Sequence, residues 1–448
     1  MIRQLKLFFY RTISFLYLAL VKHKSQYLSN SFDQKQLDNP FSPYKRINSS
    51  HVDDWILIYA ATIGELKAAS FFLQKIQQVY VGAGLILIPG QIQYANAYSE
   101  LYPNAQVIRQ FPVSPTIVDQ FFLKYRIKFC VFVEGPSLHG FFPIRQDLSL
   151  PIGCLSHQVP IVIINGCLYK KHVHSRIDAI TYWLFSGLFQ DAIKHWYVPT
   201  VENYSDLVRH KVSKNSISVV GDIKFDNIFS DYHHTENLVT SEYIKNISGR
   251  YRLIVVGSVN ALEEQKALVD AWLHINTHYS DIMLVIAPRY INDTNMMGKL
   301  TGFLRSQNIH YAMRSEGVDA IVNNKLIIVD TFGELPCFYQ HAEIAFAGRG
   351  HGVLEPMKYL KPVVVGPHQY WTQENSTSYL LYHEMRDNQA LIECSSYDEL
   401  GGVFMKLLED KPFGDVYVQR YTKIIKGKMG ASEKILEHMS KLLSTDRI

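Results

Sequence analysis

The chain has 448 residues, 47% hydrophobic and 19% charged, with 45 basic and 41 acidic side chains for a net charge of +4. That composition fits a folded chain of roughly two to four domains and excludes a disordered or collagen-like one; near-neutrality without a basic stripe argues against a nucleic-acid partner. Five cysteines, Cys130, Cys154, Cys167, Cys337 and Cys394, are widely spaced and form no CxxC pair, so neither a disulfide framework nor a zinc site is signalled and a reducing compartment is expected.

The most skewed segment comes first. Leu5 to Leu20 reads LKLFFYRTISFLYLAL, an apolar, aromatic run interrupted by Lys6 and Arg11. It falls short of the roughly 20 residues of a spanning helix, and the LALVKHKS that follows is a poor signal-peptide cleavage site. Arg3, Lys6, Arg11, Lys22 and Lys24 surround Phe8, Phe9, Phe15, Leu16 and Leu18. Residues 1–24 are therefore expected to form an amphipathic anchor on an anionic membrane surface, the alternatives being a spanning helix, a core helix or a cleaved signal.

Beyond residue 50, short apolar runs alternate with longer segments of helical period. WILIYA (55–60), VGAGLILI (81–88), KFCVFV (128–133) and PIVIIN (160–165) are continuously apolar and end in turn residues, as buried parallel strands do. The stretches between them can hold crossover helices, which gives the pattern of a doubly wound sheet. From about 199 to 250 the chain turns polar and histidine-rich, with one strand-like interruption at ISVV, and a hinge is expected there. A second series follows: YRLIVVG (251–257), IMLVIAP (282–288), KLIIVD (325–330), AEIAFAG (342–348) and KPVVVGP (361–367), then a helical tail from about Ala431 to Leu443. The expected fold is α/β, with two doubly wound, Rossmann-like domains facing a cleft at residues 25–228 and 251–448, joined by a linker at 229–250. The C-terminal helix is a candidate to pack back on the first domain. Ligands are expected outside the carboxyl ends of the strands.

Several strand ends carry residues fit for chemistry. After the first strand, Thr62 to Glu65 has the spacing of a capping box, and Leu66, Ala69, Leu73 and Ile76 give the helix that follows a buried stripe. A carboxylate at such a turn is also well placed as a general base; spacing alone favours the cap. Glu134 ends the strand KFCVFV before Gly135-Pro136, either at a ligand cleft or as an ordinary loop carboxylate. In the second half, Gly257-Ser258 ends a strand where backbone N–H groups can face an anion. Pro288-Arg289, Asp330-Thr331-Phe332-Gly333-Glu334 and Gly348-Arg349-Gly350-His351-Gly352-Val353-Leu354-Glu355 follow the next three strands. The glycines of the last segment let backbone approach a ligand. Lys224, in Gly221-Asp222-Ile223-Lys224-Phe225-Asp226, has the reach to meet a phosphate or carboxylate or to lie in solvent. His172 with His174 and His233 with His234 lack a matching ligand set and are read as surface residues. No metal or cofactor is called for.

Together these strings resemble the bacterial 3-deoxy-D-manno-octulosonic acid (Kdo) transferases, nearly end to end. An apolar N-terminal segment precedes Ala61-Thr62-Ile63-Gly64-Glu65 where the family has Ser-Val-Gly-Glu, and Val133-Glu134 stands where it has Met-Glu-Thr-Glu. The Gly221 to Asp226 string, Gly257-Ser258, Pro288-Arg289, Thr331 to Pro336 with Phe338-Tyr339, Leu354-Glu355-Pro356, Lys361-Pro362-Val363 and Gly366-Pro367 follow in order. The resemblance implies an inverting, metal-independent GT-B enzyme on the cytoplasmic face of the inner membrane, moving Kdo from CMP-Kdo to a lipid A precursor. Glu65 would then be the general base, overriding the preference for a cap. Glu134 and Lys224 would hold transition-state charge, and Ser258, Pro288, Arg289, Phe332, Gly333, Glu334, Gly352, Val353, Leu354 and Glu355 would bind the CMP moiety. This chain departs from the family at Gly352, where an asparagine is usual, at Pro136 in place of a second glutamate, and at Leu138 in place of a tryptophan. Asn165-Gly166-Cys167-Leu168-Tyr169 also replaces Asn-Ala-Arg-Leu-Ser. Most departures fall on the acceptor side or at the expected inter-domain cleft, which keeps open a different acceptor or nucleotide sugar, or a non-catalytic homologue.

Overall fold

The computed structural model describes residues 4–12, 14, 52–109, 111–112, 114–135, 146–167, 187–188, 190–228, 238–317, 320, 323–348, 352–367 and 377–444. The chain divides into two compact units, Met1–Tyr232 with Lys428–Ile448, and His233–Gly427.

The first unit is built on seven strands: β1 (Trp55–Ala60), β2 (Gly84–Pro89), β3 (Gln106–Val107), β4 (Ile127–Val133), β5 (Ile161–Ile164), β6 (Ile193–Val198) and β7 (Ile217–Val219). Every pairing is parallel, in the order β3-β2-β1-β4-β5-β6-β7. All six residues of β1 are buried, because a parallel sheet is covered on both faces. The strand's period of two sends Leu57 and Tyr59 into one core and Ile56, Ile58 and Ala60 into the other. Helix Ala431–Ser444 closes the second of these cores with Ala431, Ile435, Leu436 and Met439. The chain runs outward from β1 to β2 and β3, then returns to place β4 on the other side of β1. That reversal opens a crevice at the carboxyl ends of β1 and β4.

The N-terminal segment is more integrated than a detachable anchor. Residues 4–12 are helical; Tyr10 and Ser14 are buried, Leu7 packs on the core, and Arg11 pairs with Asp119 at 3.0 Å. The opposite face exposes Leu5, Phe8 and Phe9 by 57%, 66% and 53%. No helix among the described residues is long and apolar enough to cross a membrane. Residues 15–24 of the expected anchor lie outside the described residues, as do 229–237 of the expected linker and all four histidines of the pairs noted above.

The second unit repeats the plan with β8 (Arg252–Val259), β9 (Ile282–Pro288), β10 (Ala312–Met313), β11 (Leu326–Ile328), β12 (Ala342–Ala347), β13 (Val363–Val365) and β14 (Ile392–Glu393). The order is β10-β11-β9-β8-β12-β13-β14, again all parallel. Helices Leu262–Asn276 and Leu400–Glu409 cover one face, and Leu238–Ser248 and Leu335–His341 the other. Here the reversal falls between β8 and β12.

Candidate active site

The crevice of the first unit holds Glu65, on the turn after β1. Thr62 caps helix Ile63–Ala68, its Oγ1 accepting from Glu65 N–H at 3.2 Å. Glu65 Oε2 reaches back to accept from Ala61 N–H at 2.6 Å, and its Oε1 accepts from the Thr62 hydroxyl at 3.2 Å. The capping box read from the spacing is therefore present, shifted so that the carboxylate closes on the residue before the cap. Tyr98, fully buried, donates to the carbonyls of Ala60 and Thr62 at 2.8 and 2.9 Å and so pins the turn. Gly90, after β2, lets the turn lie close: a Cβ there would stand 2.7 Å from Ala61 Cα, so only glycine fits without a shift.

Glu134 follows β4 in the left-handed region (φ 67°). Two backbone bonds hold it there, from its N–H to Ile164 O at 2.8 Å and from Cys167 N–H to its own carbonyl at 3.0 Å. A strained backbone that its neighbours over-determine is common at functional sites. The Glu134 Oε1 lies 2.6 Å from Lys224 Nζ, with only 11% and 25% of the two side chains exposed. Lys224 rides on the one-turn helix Ile223–Asp226, capped by Asp222, whose Oδ1 accepts from Lys224 N–H at 2.9 Å.

That short helix is clamped twice. Asp226 accepts from Gly430 N–H at 2.6 Å and Ser432 N–H at 2.7 Å, joining it to the start of helix Ala431–Ser444. Asn227 accepts from Ser70 Oγ at 2.9 Å and donates to Lys67 O at 3.0 Å. Lys67 belongs to the helix that carries Glu65, so base and lysine share one rigid frame.

The electrostatics follow from this crowding. Burial, then the negative charge of Glu134, pushes the Glu65 pKa up to about 7, against the pull of Ala61 N–H, Thr62 and Lys224. Asp222 is also raised, by burial foremost, with Lys224 opposing. Burial works against the Lys224 ammonium, but Glu134 and Asp222 outweigh it and raise its pKa. The result is a permanent cation beside a carboxylate that changes charge near neutrality.

In the second unit the remaining sequence-predicted residues occupy the carboxyl edge of the sheet. Ser258 is left-handed (φ 60°), and a Cβ on Gly348 would lie 2.7 Å from Val259 Cα, so β12 ends backbone-to-backbone against the end of β8. Gly352 (φ 72°) lies beside the Ser258 hydroxyl and the Glu355 carboxylate. Val353 is buried and Leu354 half-buried at the start of helix Leu354–Met357. Pro288 ends β9, and Arg289 N–H donates to Val259 O at 2.9 Å while its side chain is exposed. Beyond β11, Phe332 is 76% exposed and Gly333 is left-handed (φ 85°). Glu334 is held by Arg314 at 2.9 Å and by the Thr331 hydroxyl. Arg349, Gly350 and His351 lie outside the described residues, as do Pro136, Leu138, Leu168 and Tyr169.

No protein-family model matches the chain. Over 400 residues it is 22% identical to the 3-deoxy-D-manno-octulosonic acid transferase of Haemophilus influenzae, an alignment covering 85% of this chain and 86% of that one. The chain thus resembles the Kdo transferase family over most of its length. Another relative, a bifunctional glycosyltransferase/methyltransferase of Fusobacterium nucleatum, is 23% identical over 365 residues; the match covers 78% of this chain and only 51% of that larger protein. Among solved structures, a glycosyltransferase from Rickettsia africae matches with a TM-score of 0.54 at 11% identity, covering 88% of this chain and 99% of its own. That likeness fixes the fold, a two-domain α/β GT-B arrangement. Tyr98 and Asn227 in the first unit, and Arg314 in the second, support these residues without having been singled out in the sequence, because each bonds a partner outside its own segment.

Proposed function

We propose that the chain is an inverting glycosyltransferase that moves Kdo from CMP-Kdo to a lipid A precursor, lipid IVA, in lipopolysaccharide synthesis. The observation that carries this reading is the partly buried cluster of Glu65, Glu134 and Lys224 at the β1/β4 crevice, with Glu65 poised near neutrality. A base whose pKa lies near the working pH is both available and strong enough to take a proton.

In the proposed reaction an acceptor hydroxyl attacks the anomeric carbon of Kdo and Glu65 receives the hydroxyl proton. The new C–O bond forms as the bond to the phosphate oxygen breaks, and CMP departs with the electron pair. Lys224 offers a fixed positive charge to the Kdo carboxylate or the departing phosphate, and Glu134 holds that ammonium in place. Fixed charges of this kind need no reorganisation during the reaction. The left-handed Ser258 and Gly352 would let backbone N–H groups approach the nucleotide phosphate, while exposed Arg289 and Phe332 offer it a cation and a ring face. The reading calls on no metal or cofactor. Leu5, Phe8 and Phe9 would rest on the cytoplasmic face of the inner membrane, where a lipid acceptor is presented.

Calorimetric titration with CMP, UMP and UDP tests the donor class. CMP is expected to bind at least tenfold tighter than the uridine nucleotides; equal or inverted preference would point to another nucleotide sugar.

A further inference from the structure

The turn from Asp330 to Glu334 is held from both sides by two neighbouring residues, Arg314 and Ser315. Ser315 donates from its backbone N–H to Asp330 Oδ1 at 2.9 Å and from its hydroxyl to Asp330 Oδ2 at 2.5 Å. Arg314 Nη2 donates to Glu334 Oε1 at 2.9 Å, and its guanidinium lies 4.9 Å over the Tyr243 ring. Thr331 takes the second oxygen of Glu334. Both ends of the turn are thus fixed while its tip, Phe332, stands 76% exposed next to the left-handed Gly333. An exposed aromatic normally costs solubility and has entropy to lose on binding. Here the loss is taken in advance, because the backbone beneath the ring is already bonded in place.

We propose that Arg314 is a positioning residue for nucleotide binding: through Glu334 it fixes the turn that presents Phe332 to the flat face of the donor's base. This rests on the donor reading above. Arg314 reaches the ligand only through its neighbours, so its loss should weaken donor binding and leave the chemical step alone. The pair is largely buried, with 15% and 12% of the side chains exposed. Removing the guanidinium takes from the Glu334 carboxylate its largely buried charge partner, which should cost about tenfold or more in affinity.

The test uses the full chain with Arg314→Ala and Arg314→Lys. CMP is titrated by calorimetry, donor KM and kcat are measured, and chymotryptic cleavage after Phe332 is followed by mass spectrometry. Arg314→Ala is expected to weaken CMP and raise donor KM about tenfold, with kcat within threefold of the parent, and to speed cleavage at Phe332. Arg314→Lys should recover part of both effects by restoring the charge. Faster cleavage with unchanged CMP affinity would overturn the proposal while leaving the donor reading intact. A fall in kcat at unchanged KM would show a merely structural role. A parent protein that binds no CMP at millimolar concentration would sink the donor reading itself, and this proposal with it.

Discussion

Replacing Glu65 by glutamine separates the catalytic role of this residue from its capping role. Glutamine keeps a carbonyl oxygen for Ala61 N–H, so the turn after β1 retains its shape, but it cannot accept a proton. Loss of a positioned base typically slows a reaction by about 10²- to 10⁴-fold, and kcat should fall within that range while CMP affinity stays unchanged. The pH profile carries a second signature. With a pKa of about 7, the parent's kcat/KM should rise through neutrality and level off above it. Glu134→Gln removes a charge that raises the Glu65 pKa and should move the rising limb to lower pH. Lys224→Met removes a charge that lowers it and should move the limb to higher pH. The same shift acts on stability: a carboxyl with a raised folded-state pKa binds its proton more tightly when folded, so stability is lost as pH rises from its ordinary range through about 7. Glu65→Gln should therefore raise the thermal midpoint at pH 8 and change it little at pH 4. Release of CMP from the donor, followed from pH 5 to 9, reads the kinetics. A variant retaining kcat within tenfold of the parent, or one less stable at pH 8, would refute the role as base and return Glu65 to the cap.

Three further outcomes follow from the packing. Asp226→Ala should cost about 2–4 kcal/mol in urea unfolding, since two backbone donors at the start of helix Ala431–Ser444 lose a charged acceptor; a cost below about 0.5 kcal/mol would mean that solvent replaces it. Gly90→Ala should lower kcat as well as stability, by about 1–3 kcal/mol, because the new methyl displaces the turn that carries Glu65; full activity would show that the turn tolerates the shift. Changing Leu5, Phe8 and Phe9 together to serine should release the protein from anionic vesicles at an unchanged thermal midpoint, whereas deleting residues 1–14 should also lower that midpoint, because Tyr10 and Ser14 are buried. Equal midpoints for the truncated and full chains would make the segment a detachable anchor after all.

Much of the fold is legible in the sequence wherever a strand is apolar throughout. WILIYA and IMLVIAP lie where their composition puts them, because the interior strands of a parallel sheet are buried on both faces. The strand Ile193–Val198 is hidden because Lys194 and His195 interrupt its run. His195 is nonetheless buried, bonded to Ser218 at 2.8 Å and kept neutral by burial and by His438, which push its pKa down to about 4. Gln106–Val107, Ala312–Met313 and Ile392–Glu393 are too short to show any period. The first-unit site is half legible. Position at a strand end marks Glu65 and Glu134, and the Gly221 to Asp226 string marks Lys224. What the string does not show is its division of labour: Asp222 caps the turn, Asp226 holds the C-terminal helix, and Lys224 meets Glu134. Tyr98 and Arg314 leave no local trace, since their hydrogen bonds join residues brought together only by folding.

The most direct measurement is transfer itself. Purified protein is incubated with CMP-Kdo and tetra-acylated lipid IVA in the presence of EDTA, and the lipid is analysed by mass spectrometry alongside the Glu65→Gln variant. The expected result is Kdo-bearing lipid together with one CMP released per sugar added, and loss of both in the variant. CMP-Kdo bound but left intact, with unmodified lipid, would contradict the assignment of this acceptor.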